Sequence, residues 1–263
     1  MAGKKDHIKL VKNKKRQPGW KRFLHLLLKL AVLAVLIIVI KHGEAFFRVS
    51  DIIVDGAVDI AAGAIIVSGG LEEGMSMFLL NEKKIAERIM QDYPEIKDVD
   101  IERKLPDSVV LTVTERTLAA YLISADGYWM IDRDAVCFAF TGETAAGFPV
   151  ITGISDTLLM PGEPLACSSR RETLSNFFTN WAGSELLDIE TMDFSDRFNL
   201  VIFTKEGWEI WLGDGKNMGT KLLLVSESIP LIDGDASVRL DVRSGKRLVA
   251  SGSTMISEKE VEH

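Results

Sequence analysis

Histidine and cysteine are scarce in this 263-residue chain, with four of the first and two of the second. The histidines are His7, His25, His42 and His263, so none falls within residues 47–251. A Ser–His or Cys–His nucleophilic pair would need one there, and no His/Cys/carboxylate cluster has the spacing of zinc ligands. Cys137 and Cys167 permit one bridge in an oxidising compartment but make no disulfide framework; a free or half-buried pair is the plainer reading. Aromatic residues are only 8% of the chain, whereas Val, Ile and Leu are plentiful enough for a core. The stretch Gly213-Asp-Gly-Lys-Asn-Met-Gly219 misses the G-x-G-x-x-G spacing by one residue and lacks the Lys-Ser/Thr end of a P-loop. It reads better as the lead-in to a helix capped by Asp214 or Asn217. Asp132 and Asp134 could be taken for paired catalytic carboxylates, but two aspartates in a hairpin turn read as local backbone caps. Trp208 and Trp211 alternate with Ile210 and Leu212 and read as core and rim residues rather than a ligand stack. No cofactor, metal, nucleic acid or small-molecule substrate is expected.

What the chain does have is one long apolar run. Residues 24–40 read LHLLLKLAVLAVLIIVI. With Phe23 the run spans about 27 Å as a helix, close to the ~30 Å hydrocarbon core of a bilayer. Nine Lys and Arg residues and one acid precede it; after it, twenty-one basic residues face thirty-seven acidic ones, a net of −16. A basic flank stays in the cytoplasm, which predicts a single transmembrane helix over residues 23–41, a basic cytoplasmic tail over 1–22, and an exported acidic remainder. The basic tail reads as topology and anionic-lipid contact rather than nucleic-acid binding. Gly43-Glu44-Ala45 offers signal-peptidase spacing, but the run exceeds an h-region of roughly 7–15 residues, so retention is the expectation. Lys29 lies near the cytoplasmic end, where its stem reaches the interface.

Past residue 47 the pattern changes twice. Residues 48–54 read as a strand ended by Asp55-Gly56, and 59–67 as an apolar helix closed by Ser68-Gly69-Gly70. Asn81 caps a second helix with Ile85, Ile89 and Met90 as its buried stripe, stopped at Tyr93-Pro94. Residues 96–104 alternate with period two, Leu105–Ser108 turn, and 109–114 form a third strand. This β-α-α-β-β order predicts a three-stranded sheet backed by two helices. A second block opens with a hairpin, 121–124 and 128–131 about Asp126-Gly127. It continues with strands at 136–140, 189–194, 200–204, 208–212, 237–242 and 247–250 and helices at 172–181 and 216–226. Residues 252–263 read as a frayed tail.

The motifs in order are Phe47-x-Val49-x-x-Ile52-x-Val54-x-Gly56, Gly74-x-x-x-Phe78-x-Leu80, Pro94-x-Ile96-x-x-Val99-x-Ile101-x-Arg103-x-Leu105-Pro106 and Val113-x-Glu115-Arg116. Asp126-Gly127, Ile131-Asp132, Gly207-x-x-Ile210-x-Leu212-Gly213 and Leu240-Asp241-Val242-Arg243 follow. Behind a correctly placed span, this ordered set resembles the FtsQ/DivIB family of bacterial cell-division proteins. It departs from that pattern in lacking a glycine in Asp132-Arg133-Asp134 and a proline after Arg116. The resemblance implies an α+β architecture: one transmembrane helix, a POTRA domain at 47–116, and a mostly antiparallel β domain with two helices at 117–251. It further implies a non-enzymatic scaffold at the septal cytoplasmic membrane that binds FtsB-like and FtsL-like proteins. The implied mode is strand addition at the edge of the last strand, using Arg239, Asp241, Arg243, Lys246, Arg247, Leu248, Val249, Ala250 and Ser251. The locally basic arginines would favour an acidic partner segment. The rival readings are a POTRA-type peptide-binding or chaperone-like protein of a secretion or assembly system, and a membrane-anchored cell-wall hydrolase.

Overall fold

The computed structural model describes residues 19–155, 159–181, 188–231 and 238–252. Most of the basic tail and of the expected C-terminal tail lie outside these residues. Helix α1 runs from Gly19–Phe46, 28 residues. Its described side chains from Phe23 to Ile38 are all exposed, on every face of the helix. Among the described residues no helix is long and apolar enough to cross a membrane. Side chains within α1 are described only as far as Ile38, and the apolar run of the sequence continues through Val39 and Ile40.

The first sheet follows the predicted order. Strand β1 (Asp51–Asp55) is followed by helices α2 (Ala62–Gly69) and α3 (Glu82–Asp92), then β2 (Ile96–Lys104) and β3 (Ser108–Glu115). The strands lie β1-β3-β2, with β1 parallel and β2 antiparallel to the central strand. Asn81 caps α3 as expected, its side chain accepting from Lys84 N at 3.1 Å. The inward residues Val99, Ile101, Val109, Leu111 and Val113 meet Ile65, Ile85 and Ile89 of the helices in one cluster. Ile65 and Ile89 are fully buried, each worth about 2 kcal/mol of apolar transfer. Gly56 is required where it stands: at φ +85° a Cβ would lie 2.3 Å from the Val113 carbonyl oxygen. Two residues on, Glu115 reaches back to the same turn, its carboxylate accepting from the backbone N–H of Val58, Asp59 and Ile60. Partial burial would raise its pKa, but those three N–H donors outweigh it and hold the carboxyl below the usual glutamate value.

The second unit is one ten-stranded sheet. Its strands are β4 (Ala120–Ser124), β5 (Gly127–Ile131), β6 (Val136–Thr141), β7 (Val150–Thr152), β8 (Glu163–Pro164), β9 (Ile189–Asp193), β10 (Leu200–Thr204), β11 (Glu209–Gly213), β12 (Val238–Asp241) and β13 (Val249–Gly252). Their spatial order is β13-β12-β11-β10-β9-β7-β4-β5-β6-β8. The antiparallel ladders match expectation, but three pairs are parallel: β11 with β12, and β7 with both β4 and β9. Strands β7 and β8 escape a sequence reading because three and two residues are too few to show a period. Yet β7 joins the two halves of the sheet. Helices α4 (Ser168–Asn180) and α5 (Met218–Ser228) pack against each other and bury Leu174, Phe177, Phe178 and Val225 in the sheet's core. Helix α4 starts four residues before its predicted position. Its cap residue Cys167 is partly exposed, whereas Cys137 is buried.

The cap of α5 differs from expectation. Asn217 holds the N-cap position with φ 52° but makes no side-chain cap hydrogen bond. Asp214 is tied instead to the buried Lys221, which donates to its carbonyl at 2.8 Å and its carboxylate at 3.2 Å.

A polar joint connects the two sheets. Arg116, just past β3, donates through Nε to the Pro94 carbonyl at 3.1 Å and through a terminal nitrogen to Asp132 at 2.5 Å. The other Asp132 oxygen accepts from the backbone N–H of Asp134 and Val136. Asp132 is therefore the turn cap that its position suggested, and a buried ion-pair partner as well. Lys97 and Asp134 add an exposed pair at 2.6 Å, which contributes little. Replacing Arg116 with Ala leaves a buried carboxylate without its cation, and is expected to lower unfolding stability by about 3 kcal/mol. Lys at this position is expected to recover only part, because it cannot fork between Asp132 and Pro94; urea unfolding measures both. For Glu115 the lowered pKa makes its contribution full above the ordinary glutamate value, lost as pH falls through the lower folded one. A Glu115→Gln variant is expected to show a flatter acid limb of stability than the parent in the same assay.

Candidate partner-binding edge

Strand β13 ends the ten-stranded sheet, and among the described residues no strand pairs with its outer side. Its inner side pairs antiparallel with β12, placing Val249 opposite Asp241, Ala250 opposite Leu240 and Ser251 opposite Arg239. The strand begins two residues later than the sequence suggested. Arg247 and Leu248 lie in the preceding turn, where the Arg247 N–H and carbonyl both bond the Ser244 hydroxyl. The turn is seated by its neighbours: Gly245 faces Asn217 and Lys221, and Gly213 faces the stem of Arg243. The buried Lys221–Asp214 contact thus lies beneath the β12–β13 connection.

Period-two alternation sorts the strand residues into two faces. Val238, Leu240 and Val242 point into the core, with Leu248 and Ala250 packed against it. The other face carries Arg239, Asp241, Val249 and Ser251. Parallel pairing sets Glu209 beside Arg239 and Trp211 beside Asp241. Trp211 donates to Glu209 at 2.7 Å, and Arg239 donates to the other Glu209 oxygen at 2.9 Å. Arg243 folds back on Asp241 with contacts of 3.0 and 2.6 Å. Both guanidinium groups lie over the Trp211 ring, Arg239 at 5.3 Å and Arg243 at 4.5 Å from its centroid. The hydrogen bonds from Arg243 hold the Asp241 carboxyl below its usual value, and Asp241 in turn raises Arg243.

The edge residues named from the sequence are therefore together, with a different charge balance. Arg239 and Arg243 are each matched by a carboxylate of this chain, so they do not add to a free positive field. Among the described residues, Lys246 and Arg247 form no ion pair. Sequence reading missed Glu209 and Trp211 as parts of this face, because nothing in it signals that β11 runs parallel beside β12. Trp208 is buried and Trp211 half-exposed, which are the core and rim places expected of them. Val249 is 53% exposed, an apolar side chain on a terminal strand beside an aromatic–arginine stack. Among the described residues no group of three His, Cys, Asp or Glu could hold a metal ion.

Comparison with known proteins agrees with this architecture. Residues 47–116 match the family model described as POTRA domain, FtsQ-type. The chain is 31% identical over 163 residues to the cell division protein DivIB of Clostridium acetobutylicum, covering 61% of this chain and 65% of that protein. It is 24% identical over 110 residues to the cell division protein FtsQ of Streptomyces bingchenggensis, covering 42% of each. Against the cell division protein FtsQ of Corynebacterium glutamicum it is 21% identical over 197 residues, 74% of this chain and 84% of that one. The chain thus spans less than two thirds of the first two relatives.

Asp241 sits in a partly exposed pair, so Asp241→Asn is expected to cost no more than about 1 kcal/mol at neutral pH. Because the Asp241 pKa is lowered, this difference is expected to shrink as pH drops through the folded value, below the ordinary aspartate range. Parallel urea melts of both proteins across that interval check it.

Proposed function

Since the chain belongs to the FtsQ/DivIB family of cell-division proteins, we propose that it is a non-enzymatic membrane scaffold of the divisome, anchored by one span. On this reading residues 1–22 stay in the cytoplasm, 23–41 cross the membrane, and a POTRA domain at 47–116 and a β domain at 117–251 act outside it at the septum. The apolar run of eighteen residues, flanked by nine basic residues on its N-terminal side, supports the span and its direction. The exposure of α1 side chains on every face suits a helix whose solvent is lipid.

The β domain binds FtsB-like and FtsL-like partners by accepting a strand at β13. The observation that carries this is the terminal place of β13 in the sheet. Unpaired backbone groups there give affinity, and side chains along the rim give selection. Lys246 and Arg247, next to the strand and in no ion pair among the described residues, attract an acidic segment and speed its encounter. Arg239, Asp241 and Arg243, with Glu209 and Trp211, form the adjoining platform, and Leu248, Val249, Ala250 and Ser251 lie along the docking line.

Co-purification of the full chain from membranes is expected to recover FtsB- and FtsL-like proteins. The double variant Lys246→Glu, Arg247→Glu is expected to weaken binding of an FtsB-like peptide several-fold, mainly through slower association, with far-UV circular dichroism unchanged. Equal association rates for variant and parent, measured at low salt, would remove the electrostatic part of the site. Failure to recover any division protein would remove the scaffold reading.

A further inference from the structure

The loop between α2 and α3 is stitched to the residues that leave helix α1. Gly74 N–H donates to the Val49 carbonyl at 2.7 Å, Val49 N–H to Met75 at 2.8 Å, and Met77 N–H to Phe47 at 3.0 Å. Arg48 reaches the Gly74 carbonyl at 3.2 Å, and Arg48 and Ser76 form an isolated bridge. Met77 and Leu80 anchor the loop in the core, at 0% and 6% exposure, whereas Phe78 and Leu79 between them are 64% and 84% exposed. The Phe78 ring meets Phe47 edge-on at a centroid distance of 5.2 Å. A Ser76–Leu79 turn, closed at 3.1 Å, holds the pair at its tip.

An apolar tip that hydrogen-bonded anchors hold in place is not a fraying end. Its position relative to α1 indicates what covers it. Phe47 directly follows the last residue of α1 and lies seven residues beyond Ile40, where the apolar run ends. At the helical rise this is about 10 Å, against a headgroup layer of roughly 5–8 Å on each side of a bilayer. The loop, hydrogen-bonded to Phe47, is thereby placed just beyond that layer, within reach of a side chain. Aromatic and apolar side chains with a basic neighbour are the composition that settles there, and Arg48 is that neighbour. Glu72 and Glu73, exposed in the same loop, limit the depth of entry to the tip.

We propose that Phe78 and Leu79 rest in the headgroup layer of the outer leaflet and fix the tilt of the POTRA domain on the membrane. This rests on the reading of α1 as a span. The contact makes the exit from the membrane a two-point support, one point the helix and the other the loop, rather than a swivel.

The test uses the purified full chain in nanodiscs of a phosphatidylglycerol–phosphatidylethanolamine mixture. In a Cys167→Ser background, with Cys137 buried, a nitroxide is placed in turn at Leu79→Cys, at Leu36→Cys in α1, and at Glu206→Cys in the β10–β11 turn. Power-saturation electron paramagnetic resonance then compares collision with oxygen and with a water-soluble nickel chelate. Nickel accessibility at position 79 is expected to fall several-fold below that at 206, with oxygen accessibility between those at 206 and 36. A water-like signal at 79 beside a lipid-like one at 36 overturns the loop contact and leaves the span standing. A water-like signal at both overturns the span and the loop contact together. Because no other protein is present, shielding at 79 cannot come from a protein partner.

Discussion

An open sheet has to end somewhere, and each terminal strand leaves a row of backbone N–H and C=O groups without a protein neighbour. The ten-stranded sheet ends in two different ways. At one side β8 is two residues long and one of them is Pro164, so the edge is short and lacks a donor. At the other side β13 carries four residues in a regular antiparallel ladder with β12. Nothing along β13 resembles the proline or inward charge that usually blunts an edge. Among the described residues the asymmetry leaves one longer open edge, and the platform of Trp211, Glu209, Arg239, Asp241 and Arg243 lies on the sheet face beside it.

The platform also tempers a simple electrostatic picture. Two guanidinium groups lie over one indole and each is paired with a carboxylate, so the platform offers shape and planar surface more than net field. Arginine suits this place because a guanidinium can bond a carboxylate and lie on an aromatic ring at once. Among the described residues, the positive charge without an ion pair sits in the adjoining turn, at Lys246 and Arg247. Beneath that turn Lys221 is almost fully buried with Asp214 as its partner. Burying such a pair costs desolvation, and its usefulness lies in holding the connection to one conformation.

Strand β13 is far along the chain from α1, and two joints lie between them. Arg116 clamps the end of the first sheet to the first hairpin of the second through Asp132, and β7 bonds the two halves of the large sheet together. Glu115 and Arg116, adjacent in sequence, face opposite tasks: one carboxylate closes the turn before α2, and one guanidinium closes the joint between the sheets. The same dipeptide that marks the family pattern therefore has a physical reason at both positions.

Much of this was readable from residue order. Period-two alternation placed β2 end to end, the Asn81 cap and the Ile85–Ile89 spacing placed α3, and Gly56 stood where only a residue without Cβ fits. These features depend on neighbours within a few positions, and local sterics and solvation decide them. What residue order could not give was adjacency between distant segments. The parallel seat of β11 beside β12 pairs Glu209 with Arg239 and neutralises a charge that looked free. β7 is too short to have a period, yet it unites the sheet. Lys221, a lysine on helix α5, became a buried anchor only because the loop from Asp214 folds over it. The run of apolar residues and its basic flank belong to the chain itself, because hydropathy and charge act there without any fold. The terminal edge at β13 belongs to the tertiary structure, because a strand is an edge only when the pairing of all the others leaves it last.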